Sequence, residues 1–135
     1  MELEEKLALI GRWREVALQD LDAMIEMCTD DVVLDYSNSI GPMKGVYRGR
    51  AGLDTYGREM QESFSKTGVE VANVTDAGPD AVVLQTRLTV TGKGSGATAS
   101  GTGGFLIRFR GEKIELMKVF QSYEEALSEA ESDTP

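Results

Sequence analysis

Leu3, Leu7, Ile10, Trp13 and Ala17 recur at steps of four or three residues, which predicts an amphipathic helix at the start of the chain. Asp20 then precedes Leu21, Met24, Ile25 and Cys28, spaced i, i+3, i+4 and i+7. A carboxylate in that place accepts from the free amides of a first helical turn, so a second, short helix is expected. Cys28 falls on its apolar stripe and reads as a small buried hydrophobe rather than a nucleophile. Val32 to Tyr36, bounded by Asp30-Asp31 and by Ser37-Asn38-Ser39, predicts a strand. Residues 37–49 hold Gly41, Pro42, Gly45 and Gly49 and read as a loop. Leu53, Tyr56, Met60 and Phe64 predict a third helix, weakened by Gly52 and Gly57.

From Gly68 the period changes to two. Val69 and Val71 alternate with Glu70 and Ala72 up to a turn at residues 76–80. Val82, Leu84, Leu88 and Val90 then share one face of a long strand, with Val83, Gln85, Arg87 and Thr89 opposite. Gly92-Lys93-Gly94-Ser95-Gly96 closes a hairpin, residues 97–110 run back, Gly111-Glu112 turns, and residues 114–121 form a last strand. Ser122 is placed to cap a final helix carrying Ala126, Leu127 and Ala130. Short connections between successive strands imply antiparallel pairing, and helices grouped before the sheet imply an α+β fold. Glycines at 101, 103 and 104 suggest a bend or bulge that curls the sheet, so that helices covering its concave face enclose a pocket.

The length, 135 residues, suits one domain, and 41% hydrophobic residues suit a packed core. A net charge of −9 argues against nucleic acid, whose phosphates need a basic stripe. No Lys or Arg follows Lys118, so the last helix and tail are an acidic, solvated stretch. The N-terminus lacks the apolar run of a signal peptide, and no stretch approaches the ~20 apolar residues of a membrane span. A cytoplasmic location is expected, with no membrane partner. The absence of histidine removes His-based triads and His-containing zinc sites, and a single cysteine excludes disulfide frameworks and multi-Cys clusters. No metal site and no cofactor are expected.

The hairpin at 92–96 fails as a phosphate loop, since both flanks read as strands and Gly follows Lys93. Gly101-Thr102-Gly103-Gly104 misses the dinucleotide pattern, whose third required position is Leu106. Asp30-Asp31 reads as turn chemistry rather than a cation site. Asp35, inside an apolar strand, is either an outward residue by alternation or a placed acid.

Three stretches resemble the nuclear-transport-factor-2-like superfamily, in its SnoaL-like or ketosteroid-isomerase-like branch. Asp20-Leu21-Asp22-Ala23-Met24 with Cys28-Thr29-Asp30-Asp31-Val32 is similar to its helix-to-strand signature. Val46-Tyr47-Arg48-Gly49-Arg50-Ala51-Gly52-Leu53 is similar to its helix entry, and Gly111-Glu112-Lys113-Ile114 through Glu125-Ala126-Leu127 to its ending. The resemblance implies a cone-shaped, curved antiparallel sheet covered on its concave face by three N-terminal helices, with a short C-terminal helix. It implies one domain over residues 1–131, a short acidic tail at 132–135, and a homodimer through the convex sheet face (Gln85, Arg87, Thr89). Activity is less constrained, because this scaffold hosts isomerases, cyclases, hydrolases and non-enzymes. Ketosteroid isomerases, a worked case of pKa tuning, pair an aspartate base with a tyrosine and a protonated aspartate. Those places fall here on Tyr36, Arg12 and Phe105, so steroid isomerisation by that route is not expected. The Asp-Arg-Asp arrangement of epoxide hydrolases is also missing, since Arg87 lies away from the pocket and has no flanking pair of acids.

Resemblance and alternation together imply a pocket lined by Trp13, Val16, Tyr36, Tyr56, Met60, Leu84, Thr86, Leu88, Phe105, Met117, Val119 and Gln121. Three hydrogen-bonding groups (Tyr36, Thr86 and Gln121) in an otherwise apolar cavity match small-molecule sites. Two readings are open. In one, the pocket binds, isomerises or cyclises a small apolar molecule, polyketide- or terpenoid-like, with Tyr36 as main polar contact and Asp35 as acid or base only if it turns inward. In the other, the chain is a non-catalytic dimerisation or protein-interaction module with a packed interior.

Overall fold

A computed structural model describes residues 1–17, 19–38 and 45–132. Helix α1 spans Leu3–Val16 and α2 spans Leu21–Glu26, followed by strand β1, Cys28–Asp35. A short strand β2 (Val46–Arg48) leads into α3 (Gly49–Ser63). Strands β3 (Phe64–Asp76), β4 (Ala81–Gly92), β5 (Thr98–Arg110) and β6 (Lys113–Phe120) follow, and α4 (Tyr123–Ser132) closes the order. The strands form a single six-stranded sheet in the order β2-β1-β6-β5-β4-β3. This is the α+β architecture expected. The chemistry of the termini is also as expected, with the Asp20 carboxylate accepting from Ala23 N (3.1 Å) and Ser122 Oγ from Glu125 N (3.1 Å).

Several local expectations are corrected. The sheet is mixed, because β1 pairs parallel to β6. The short-connection rule governs only β3 to β6; β1 and β6 are distant in sequence, so nothing local fixes their sense. The α1 stripe is offset: Leu3 and Leu7 are exposed, while Lys6, Leu9, Ile10, Trp13 and Ala17 are buried. That set has the same helical spacing. Lys6 tolerates burial because its ammonium meets the Asp76 carboxylate at 2.5 Å and donates to the Gly78 carbonyl. Cys28 starts β1 instead of ending α2, and burial pushes its thiol up to about 11. It stays protonated at neutral pH and is inert. Asp30 and Asp31 lie within β1, not in a turn, and pair with Arg50 and Arg110. Phe64 opens β3, β2 occupies part of the expected loop, and residues 39–44 of that loop lie outside the described residues. Ser132 ends α4, and the remaining tail, 133–135, also lies outside them.

The expected bulge at 101–104 is not there. Pairing of β5 with β4 is regular from Thr98 to Arg108, and the shifts fall instead in β3, in β1 and at Arg108/Phe109. Gly103 and Gly104 serve close approach. An added Cβ would sit 2.8 Å from the Phe120 carbonyl oxygen at Gly103, and 2.7 Å from that of Ser122 at Gly104.

The core lies between the sheet and the first three helices. Leu9, Ile10 and Trp13 of α1, Met24 of α2 and Leu53, Tyr56 and Met60 of α3 pack on Val82, Leu84, Ile107, Phe109 and Met117. On the opposite face α4 places Ala126 and Ala130 against Ala81, Val83, Leu106 and Phe120. Alternation along β4 thus feeds two cores, one on each face. Beyond α4 that second face is polar, with Arg87 and Thr89 exposed. Among the described residues no helix is long and apolar enough to cross a membrane.

Candidate functional site: an apolar cavity with buried hydroxyls

Between the helices and the sheet lies a cavity of about 450 Å³. That is within the range of about 300–1,000 Å³ typical of small-molecule sites. Its walls include Trp13, Tyr36, Tyr56, Thr86, Leu88, Phe105, Met117, Val119 and Gln121. Nine of the twelve residues expected from sequence are therefore brought together around it. Val16, Met60 and Leu84 are not among its walls. Ala17, one helical turn on from Trp13, takes the inward place expected of Val16, which only packs against the core. Met60 and Leu84 are buried in the core itself.

The remaining walls were missed for two reasons. Met24, Leu34, Val69 and Val90 carried a signal, since each lies on an apolar stripe or alternates with a named wall residue. Ala17 also lay on the stripe of the first helix and Phe120 in the last strand, whereas residues 99–103 carried none, because small residues do not register as a lining in a hydrophobic pattern. Residues 99–102 and Gln121 are exposed, so the cavity opens at that end.

Tyr36 follows β1, where its backbone N donates to the Gly45 carbonyl at 2.8 Å. Its hydroxyl stands 3.0 Å from that of Tyr56, and the rings stack at 5.5 Å. Tyr47 meets Tyr56 edge-on at 5.4 Å and donates its own hydroxyl to Glu59 at 2.5 Å. Burial pushes the Tyr36 and Tyr56 phenols above their ordinary value, Tyr56 the further. Burial, with the neighbouring Glu59 carboxylate, takes Tyr47 to about 12. The Tyr36–Tyr56 pair is therefore uncharged at neutral pH. One hydroxyl donates to the other, and the pair keeps one further proton to donate.

Trp13 stacks edge-on against Phe105 at 5.8 Å. It is 3% exposed, and its indole Nε1–H has no hydrogen-bond partner. A buried donor left unpaired costs about 1–3 kcal/mol. Thr86 Oγ1 is engaged with the Gly103 carbonyl at 3.4 Å, a long contact. Asp35 is turned away: its carboxylate accepts from Ser37 N (2.8 Å) and Ser37 Oγ (2.6 Å), and it is not a wall of the cavity. Alternation sends Leu34 and Tyr36 inward and Asp35 outward, which removes it as the pocket's acid or base. Arg12 is exposed on α1, and Arg87 is exposed with Nη2 at 3.2 Å from Ser100 Oγ. Among the described residues, then, the walls carry no carboxylate, ammonium or guanidinium. Such a site can donate hydrogen bonds, but among its described walls it has no group fit to take a proton near neutral pH.

The SnoaL-like domain family matches residues 12–117. No curated protein matches the chain. Solved structures show the same fold at low identity. An NTF2-like protein of unknown function from Burkholderia pseudomallei aligns with a TM-score of 0.77 at 14% identity, covering 95% of this chain and 97% of that one. A Mycobacterium tuberculosis protein in complex with estradiol-17β-hemisuccinate aligns at 0.70 and 20% identity, covering 86% and 92%. TerC, co-crystallised with polyporic acid, aligns at 0.71 and 18% identity, covering 93% and 97%. A family match over most of its length, on the sheet and helices described above, places this chain in the SnoaL-like domain family, with an NTF2-like fold.

Proposed function

We infer that the cavity binds a small, neutral, largely apolar molecule bearing an oxygen acceptor, of polyketide- or terpenoid-like character, and holds it for isomerisation or cyclisation. The observation that carries this reading is an apolar cavity of about 450 Å³ walled in part by Trp13, whose indole N–H is unpaired. Neutrality of the ligand follows from the walls, since a charge buried there would meet no partner. The Mycobacterium tuberculosis protein in complex with estradiol-17β-hemisuccinate and TerC co-crystallised with polyporic acid support reading this fold as one that takes small organic ligands. In a reaction, Trp13 and the Tyr36–Tyr56 pair would supply donors to a carbonyl as charge builds on its oxygen. A base, where one is needed, comes from the substrate or from water.

Trp13 is the only tryptophan, so its emission reports on the cavity alone. A panel of neutral aromatic ketones and terpenoid alcohols should include compounds that shift this emission saturably and raise the melting temperature. A ligand at a hundred times its Kd adds about 2.7 kcal/mol to stability. Flat emission and flat melting across the panel would overturn the reading in favour of a non-catalytic module.

A further inference from the structure

Gly101 lies in the interior of β5, where glycine is a poor choice because it lends no packing and has the most backbone freedom to lose. Its two neighbours in kind have structural reasons, since a Cβ at Gly103 would strike the backbone at the end of β6 and one at Gly104 the backbone just after it. Gly101 has none of these reasons. Nothing lies within 4 Å of the place its Cβ would occupy, its φ is not in the left-handed region, and its pairing with Leu88 is regular. What it does border is the cavity.

We propose that Gly101 sets the length of ligand the cavity accepts, by leaving open the end opposite the Trp13 donor. This rests on the cavity being the ligand site. Phe105, against which Trp13 packs, lies four residues along β5 from Gly101, or ~13 Å at the rise of a strand. A molecule anchored on the unpaired Trp13 N–H therefore extends along β5, past Gly103, before it reaches position 101. A short molecule ends before that point. A long one lies over the missing side chain.

Two neutral ketones with the same acceptor test this: acetophenone, and 4-acetylbiphenyl, which adds one ring along the same axis. Calorimetric titration of the full chain should show both bound by the wild type, the biphenyl more tightly. Gly101→Leu should weaken 4-acetylbiphenyl by about tenfold or more, the usual scale of overpacking, and leave acetophenone within about twofold. If Gly101→Leu does not fold, Gly101→Ala carries the same test with a loss of a few-fold for the biphenyl. Wild-type affinity for both ketones in Gly101→Leu would overturn the length role while leaving the cavity reading in place. Equal losses of both would do the same. A wild type that binds neither ketone overturns the cavity reading and the length role with it. Unfolding of Gly101→Ala would overturn the proposal by giving the glycine a structural purpose.

Discussion

The hydroxyls of Tyr36 and Tyr56 depend on each other, standing 3.0 Å apart in the buried interior. Tyr36→Phe leaves the Tyr56 hydroxyl without that partner, so urea unfolding should show a loss of about 1–3 kcal/mol. An unchanged midpoint would mean the pair is not formed. The raised phenols also fix the response to base. Three of the four tyrosines (Tyr36, Tyr47 and Tyr56) are held above the ordinary value of 10 in the folded chain. A group whose pKa is raised by folding contributes stability that is full below its unfolded value and lost as pH climbs through the folded one. The tyrosine contribution should therefore hold up to about pH 10 and decline above it, with the raised Cys28 thiol adding a decline that begins at about pH 9. Absorbance at the phenolate band should lag in the folded chain relative to the same chain in urea, and coincident curves would contradict the assigned burial.

At the scale of elements, Gly104 is the clearest constraint. An added methyl there meets the Ser122 carbonyl oxygen at 2.7 Å and the Tyr123 Cα at 3.0 Å. Gly104→Ala should cost about 1–3 kcal/mol in thermal or urea unfolding through forced movement of the backbone entering α4. A neutral result would place that backbone further from β5. The same region shows what the sequence made legible. Among the described residues, periodicity located every helix and five of the six strands, because each has an apolar face that its own residues declare. It misplaced the α1 stripe, because Lys6 is buried through its Asp76 partner rather than through hydrophobicity. It missed β2 and the parallel β1–β6 pairing, since neither a three-residue strand nor a long-range register leaves a local pattern. The site followed the same logic. Trp13 and Tyr36 were legible by type and spacing, whereas the open end at Gly101 is defined by a side chain that is missing. The glycines of β5 were visible in the sequence, but which of them serve close approach was not, because that depends on what lies across the sheet.

For the whole molecule, the two sheet faces divide the work. The concave face carries the cavity, and the far face carries α4 at one end and exposed Arg87 and Thr89 beyond it. A homodimer is proposed across that polar part. Sedimentation equilibrium should then give twice 14.7 kDa, weakened by salt insofar as Arg87 contributes. A mass of 14.7 kDa at every concentration would retire the dimer without touching the cavity. The net charge of −9, drawn partly from the acidic residues of α4, sits apart from the cavity, whose described walls are uncharged. The claim that this uncharged space is a ligand site is tested most directly by a crystal structure of the chain grown with 4-acetylbiphenyl. The ketone oxygen should lie within hydrogen-bond distance of Trp13 Nε1, with the rings running along β5 toward Gly101. Ligand bound elsewhere, or a cavity without it while calorimetry shows binding, would contradict the account.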